Sequence, residues 1–273
     1  MVTFPNCKIN LGLNIIGKRD DGYHNLETAF YPLPFYDVLE IITSDKTGNK
    51  FFLSGINIED DTKNNLCLKA YDILKKDFPQ LPPVKIYLQK NIPVGAGLGG
   101  GSADGAFMLT LLNEKFNLNI SGEKLLQYAL QLGSDCPFFI KNKPCFAQSR
   151  GEILEEIALN LSGYKLILVN PHIHINTAWA FSQIQSSVSE ISIKVIIQQP
   201  VLQWKESLKN DFEEAVFTAH PSLQKIKQQL YRAGAVYAAM SGSGSTIFGI
   251  FESNAGFSGN IFGEKYFVKE MLL

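Results

Sequence analysis

From residue 8 to residue 16 the chain alternates. Ile9, Leu11, Leu13 and Ile15 are apolar, while Lys8, Asn10, Gly12 and Asn14 are not. That two-residue period predicts a half-buried strand. Arg19-Asp20-Asp21-Gly22 is turn chemistry, and 38–43 and 51–54 read as further strands. The period then changes: Leu66, Ala70, Ile73, Leu74 and Phe78 predict a helix over 65–78, stopped by Pro79. Pro82-Pro83 leads into a strand over 84–88. Beyond a glycine-rich run, Phe107, Met108, Leu111 and Leu112 predict a second helix with Ser102 as N-cap. A third helix starts near 120 and runs to about 132, where Gly133 stops it. Asp135 then stands in a polar elbow before an apolar segment, Cys136-Pro137-Phe138-Phe139, that reads as a strand. The last third predicts a strand over 164–169, helices over 212–218 and 222–233, and strands over 236–240 and 246–251. These elements describe an α+β protein with a boundary near residue 160, giving domains 1–160 and 161–273.

Composition narrows the classes. With 273 residues, 45% hydrophobic and 19% charged, the chain can bury a substantial core and is neither disordered nor fibrous. A net charge of −1 leaves no electrostatic footprint for nucleic acid or an anionic membrane, so neither is expected as a partner. No apolar run approaches the roughly 18 residues that span a bilayer, and no basic stretch followed by an apolar run suggests a leader. The cysteines at 7, 67, 136 and 145 form no C-x-x-C pair, and read as reduced thiols in the cytoplasm.

Within residues 93–104, glycine occupies positions 95, 97, 99, 100 and 101. Each glycine costs backbone entropy, which a fold tolerates where φ must be positive or a ligand must come close. A glycine loop opening onto a helix presents unpaired N–H groups and the positive end of the helix dipole, an anion site suited to phosphate. Gly95, Gly97 and Gly100 satisfy G-x-G-x-x-G, but a second helix follows instead of the strand and acidic residue a dinucleotide fold requires. No Gly-Lys-Ser/Thr closes the loop, which excludes a Walker P-loop. Four other places could carry chemistry. Lys8 is either a solvated strand lysine or a functional cation, and Asp135 either caps a turn or acts as a base. Tyr23-His24 offers a stacking ring and an imidazole that donates and accepts. Ser241-Gly242-Ser243-Gly244-Ser245 is either a second anion cradle or a tight hairpin.

These segments occur in an order that resembles the GHMP small-molecule kinases, from about residue 3 to residue 251. The resemblance implies a two-domain fold, with an N-terminal domain like ribosomal protein S5 domain 2 and a ferredoxin-like C-terminal domain. It implies ATP and Mg²⁺ as cofactors. Pro93, Val94, Gly95, Ala96, Gly97, Leu98, Gly99, Gly100, Gly101, Ser102 and Ala103 would hold the ATP phosphates. Lys8 and Asp135 would be the catalytic pair. Asn10, Tyr23, His24, Thr177, Phe181, Gly242 and Ser243 would hold the acceptor. The Asp21-Gly22-Tyr23-His24 turn and the Lys8-Ile9-Asn10-Leu11 start resemble the branch whose acceptor is a cytidylated methylerythritol, in the non-mevalonate route to isoprenoids. There the cytosine would lie between aromatic rings with His24 hydrogen-bonded to it. The rivals are a homoserine- or mevalonate-type kinase, which would not need Tyr23-His24, and a non-catalytic nucleotide sensor, which would not need Lys8 and Asp135. Two departures stand out: Asn6-Cys7 where the family usually has proline-alanine, and Asp104-Gly105 inside the helix after the loop. Ser102 and Asp135 are candidate Mg²⁺ ligands, but no carboxylate cluster announces a metal site, so its ligands are unassigned. The chain is expected to act as a monomer or homodimer.

Overall fold

A computed structural model describes residues 1–45, 48–56, 64–184, 191–256 and 259–273. Its strands are β1 (Val2–Thr3), β2 (Asn6–Lys18), β3 (His24–Tyr36), β4 (Val38–Thr43), β5 (Lys50–Gly55) and β6 (Val84–Lys90). They continue with β7 (Cys145–Ser149), β8 (Ile153–Glu156), β9 (Tyr164–Asn170), β10 (Tyr237–Met240), β11 (Ile247–Glu252) and β12 (Phe267–Leu272). The helices are α1 (Leu66–Asp77), α2 (Gly100–Lys115), α3 (Gly122–Leu132), α4 (Cys136–Lys141) and α5 (Thr177–Ser182). After them come α6 (Ile193–Ile196), α7 (Trp204–Ser207), α8 (Phe212–Ala219) and α9 (Pro221–Arg232).

The chain divides into two compact units. The first comprises Met1–Cys7, Phe35–Val94 and Gly99–Lys143; the second comprises Lys8–Pro34, Gly95–Leu98 and Pro144–Leu273. The units therefore interleave, the chain passing from one to the other within β2 and β3, whereas a division at residue 160 cuts it once.

In the first unit the sheet order is β1-β4-β6-β5, with β5 parallel to β6 and the other pairs antiparallel. Leu39, Ile41, Val84, Ile86 and Leu88 are buried, so β4 and β6 alternate as half-buried strands should. Asn65 caps α1, its side chain accepting from the Cys67 amide at 2.9 Å. Helix α2 begins at Gly100, two residues before the expected cap. Gly99 holds the N-cap position at φ +70, a conformation that favours glycine, and Ser102 falls inside the first turn. Gly105 is a packing requirement: a Cβ there would lie 2.8 Å from Leu66 Cβ, at the start of α1. The apolar segment after Asp135 is the helix α4, where a strand was expected. Pro137 fits a first helical turn, because the missing N–H has no intrahelical partner there, and six residues with Asn142 in the left-handed region complete it.

In the second unit β9 lies inside the antiparallel sheet β10-β11-β9-β12, and Leu166, Ile167, Leu168 and Val169 are buried on both faces. Val216, Leu223, Ile226 and Leu230 of α8 and α9 share its core with Ile167, Met240, Ile247 and Phe251. A second sheet has the order β2-β3-β7-β8. Here β2 departs from its half-buried reading: every residue from Asn6 to Ile15 is buried, polar and apolar alike. β3, the β7–β8 hairpin and β12 were not legible, because Pro32 and Pro34 interrupt the first and the others are short.

Candidate active site

In the second unit the polar side of β2 is a hydrogen-bonded cluster. Lys8 is 3% exposed, so it is not a solvated strand lysine. Its Nζ donates to Asn10 Oδ1 at 2.6 Å and to the Gly97 carbonyl at 3.2 Å, and lies 5.0 Å from the Phe30 ring centroid. Asn10 Nδ2 donates to Thr28 Oγ1 at 3.0 Å, which orients the amide oxygen toward the ammonium. The Asn10 amide donates to Ser241 Oγ at 3.2 Å, and Ser241 Oγ donates to the Gly97 carbonyl at 2.8 Å. Backbone bonds hold residues 96–98 in the same place: the Lys8 amide donates to Leu98 O at 3.0 Å and the Thr246 amide to Ala96 O at 3.2 Å. The approach leaves no room for a side chain at Gly97 (φ +78), where a Cβ would stand 1.9 Å from Ser241 O. A Cβ at Gly242 (φ +57) would stand 3.3 Å from Asn10 Oδ1, and Asn210 Nδ2 fixes its loop by donating to Met240 O at 2.7 Å and Gly242 O at 2.8 Å. Thr177 and Ser243 hydroxyls meet at 3.0 Å.

The Tyr23-His24 turn lies in the same unit. Asp21 accepts from the Tyr23 amide, which lowers the Asp21 carboxyl below its usual range, and Arg19 adds to the effect. Tyr23 is exposed, with the Arg150 guanidinium 4.9 Å from its ring centroid. The His24 ring stacks on Phe181 at 4.9 Å and 13°, and Phe181 meets Phe212 edge-on at 4.9 Å and 84°. The two rings are in direct contact, so a base cannot lie between His24 and Phe181 as they stand.

In the first unit the start of α2 leaves several backbone amides open. The Ala103 amide makes the first intrahelical bond, to Gly99 O at 2.9 Å, which leaves the amides of Gly100, Gly101 and Ser102 without helical partners. Gly101 is exposed, and a Cβ built on it would meet nothing within 4 Å. Gly100 faces inward, where a Cβ would stand 2.9 Å from Ile92 Cγ2. Pro93 is buried and Val94 exposed. The Ser102 hydroxyl hydrogen-bonds the Cys136 thiol, whose pKa burial nonetheless pushes up to about 12. That bond sets the start of α4 beside the start of α2. Asp135, half-buried at the N-cap position of α4, makes no capping bond with its side chain.

The structure thus gathers Lys8, Asn10, Gly97 and Gly242 in the second unit, and separately pairs His24 with Phe181 and Thr177 with Ser243. Ser102 and the Asp135-Cys136 step come together in the first. Sequence reasoning missed Thr28, Asn210 and the hydrogen-bonding role of Ser241. Thr28 lies in the unread strand, and the other two act through distant backbone groups that no spacing reveals. Among the described residues no three His, Cys, Asp or Glu side chains gather to hold a metal, and no helix is long and apolar enough to cross a membrane.

Known proteins supply the context for this geometry. The pattern of the GHMP kinases N terminal domain matches residues 65–143, and that of the GHMP kinases C terminal domain matches residues 196–257. The chain is 57% identical over 253 residues to 4-diphosphocytidyl-2-C-methyl-D-erythritol kinase of Bacteroides fragilis (strain YCH46), covering 92% of each chain. It is 54% identical to the kinase of the same name from Bacteroides thetaiotaomicron, again with 92% of each covered. A crystal structure of 4-(cytidine 5'-diphospho)-2C-methyl-D-erythritol kinase superposes with a TM-score of 0.79 at 28% identity, over 92% of this chain and 90% of that one. A mevalonate kinase structure has a TM-score of 0.74 at 12% identity, a likeness of fold alone. Both GHMP regions, the shared fold and the identity over 92% of the chain agree: the chain belongs to the GHMP kinases, in the 4-diphosphocytidyl-2-C-methyl-D-erythritol kinase family.

Proposed function

We propose that this chain transfers the γ-phosphoryl group of ATP to the 2-hydroxyl of 4-diphosphocytidyl-2-C-methyl-D-erythritol, a step toward isoprenoid precursors. The observation that carries the reading is the buried Lys8 ammonium, held between the Gly97 carbonyl of the glycine loop and the Asn10 amide oxygen. Phosphoryl transfer calls for positive charge where oxyanions develop, which a Lys8 side chain aimed by these bonds would supply.

The residues divide the work. Amides of Gly100, Gly101 and Ser102, with the dipole of α2 behind them, bind phosphate oxygens, and the remaining residues of 93–103 shape the approach. Asp135 accepts the proton of the acceptor hydroxyl as its oxygen attacks phosphorus. Lys8 stabilises the charge on that oxygen, and Asn10 fixes the Lys8 ammonium. Tyr23, His24 and Phe181 bind the cytidine end, while Thr177, Gly242 and Ser243 bind along the acceptor. Ser102 and Asp135 would be the residues to hold Mg²⁺ with ATP, and the ion would supply neutralisation of the phosphate charge.

The test is ADP release with ATP and four acceptors: the cytidylated methylerythritol, free methylerythritol, homoserine and mevalonate. Turnover confined to the first is expected; turnover on homoserine or mevalonate instead overturns the acceptor assignment. Asp135→Asn is expected to lower kcat about 10²-fold or more with ATP affinity near wild type. Near-wild-type turnover would remove Asp135 from the chemistry.

A further inference from the structure

Three charged side chains lie inside the first unit with no role in the steps above. Lys90 is 2% exposed, and its Nζ donates to Asp104 Oδ2 at 2.7 Å and to Asp37 Oδ2. Asp37, wholly buried, spends its other oxygen on the amides of Asn91 at 2.6 Å and Ile92 at 2.9 Å. Asp104 Oδ1 is buried without a hydrogen-bond partner among the described residues. Cys67 of α1 faces the same cluster, its thiol pushed up by burial and then by the Asp104 and Asp37 charges.

Such a cluster is a poor way to hold a fold together. Desolvating three charges offsets much of their attraction, and an apolar cluster of similar volume is often as stable or more so. What charged hydrogen bonds add is direction, and here the direction is specific. Lys90 ends β6, Asn91 and Ile92 lead from it toward the glycine run, and Asp104 lies just inside α2 beyond that run. One ammonium therefore ties the chain before the glycines to the chain after them. It also lies directly under the helix start: a Cβ at Gly100 would be 3.3 Å from Lys90 Nζ.

We propose that Lys90, Asp37 and Asp104 are positioning residues for ATP: they lock the first turn of α2 so that the Gly100–Ser102 amides are aimed before the phosphates arrive. The inference rests on the proposed phosphate site at that helix start. None of the three touches nucleotide or acceptor; each acts through the backbone of α2 or of residues 91–92. A preaimed cradle binds without a reorganisation cost, and misplacement by an ångström can cost up to about 10²-fold.

The test separates stability from aim. Lys90→Met alone strands two buried carboxylates and is expected to unfold the protein. The triple variant Lys90→Met/Asp37→Asn/Asp104→Asn removes all three charges, and Asp104→Asn alone keeps an oxygen for Lys90 while weakening a charge-assisted bond. Calorimetric Kd values for ATP and for the acceptor, each without the other, are compared with Tm. The triple variant is expected to recover a Tm close to wild type while its Kd for ATP rises about tenfold and its Kd for the acceptor stays unchanged. A smaller rise, about threefold, is expected for Asp104→Asn. Wild-type ATP affinity in the folded Asp104→Asn and triple variants overturns the proposal; if the triple variant fails to fold, Asp104→Asn decides alone. Failure of the wild-type chain to bind ATP would instead overturn the functional reading beneath it.

Discussion

The two glycine-rich runs look alike in sequence and do opposite things. At the start of α2, Gly101 has open space where a side chain would be, and the amides around it lack helical partners. In the run at 241–245 the space is filled. A Cβ at Gly244 would press on Met240 Sδ at 2.7 Å, and the Ser241 and Ser245 hydroxyls are buried and bonded to the Gly97 and Ile173 carbonyls. The helix start of the first run leaves amides without helical partners, while the second run spends its polar groups within the fold, partly on the Gly97 carbonyl. Glycine in a sequence says that a side chain is unwanted; only the surroundings say whether a ligand or the protein itself needs the room.

Four measurements bear on that contrast. Gly97→Ala should be the most damaging, since its Cβ would enter the Ser241 carbonyl at 1.9 Å in a positive-φ residue. Clash and strain together predict a loss of about 3 kcal/mol or more in urea unfolding, with activity abolished. A variant of normal stability would show that the second run does not hold the first. Next comes a pH effect on α2. Burial, opposed by the Lys90 charge and reinforced by the Asp37 charge, pushes the Asp104 pKa from 3.8 up to about 7. Between those values the folded protein holds a proton that the unfolded chain has lost, so ionisation weakens the fold as pH rises. Stability should fall as pH rises from about 4 to about 7 relative to Asp104→Asn. Parallel Tm profiles for the two proteins would refute it.

The third measurement is Ser241→Ala. It strands the buried Asn10 amide and removes one bond to Gly97, for an expected loss of about 1–3 kcal/mol with KM for ATP less affected than stability. A shift in KM for ATP with unchanged stability would assign the second run a direct part in nucleotide binding. Gly101→Ala should show the smallest stability effect, and of opposite sign: alanine in a helix gains about 0.5–1 kcal/mol over glycine. Its methyl group would nonetheless stand over the open amides, so KM for ATP should rise while Tm holds or increases. An unchanged KM would place the phosphates elsewhere.

Legibility followed the locality of the physics. The 8–16 alternation and the helical spacing of 66–78 were readable because each depends on neighbours a few residues apart. Lys8 was ambiguous by the same logic: its burial depends on Asn10, Phe30 and Gly97, and only the first is local. The strand expected after Asp135 failed because Cys-Pro-Phe-Phe has no period long enough to distinguish strand from short helix, and packing beside Ser102 decided it. Lys90 and Asp37 drew no reading and Asp104 stood out only as a departure inside the helix, since no spacing links positions 37, 90 and 104.

By itself the sequence determined the α+β class, the GHMP motifs in their order, the family, and the list of residues offered for chemistry. Those depend on residue type, short spacing and chain order, all of which a linear string preserves. The tertiary structure decided which glycines are open and which are filled, that the Lys8 side chain is buried and oriented, and that a triad of Lys90, Asp37 and Asp104 lies beneath the start of α2. Each of these depends on desolvation and on hydrogen bonds between residues far apart in the chain, and neither exists until the backbone has folded around them.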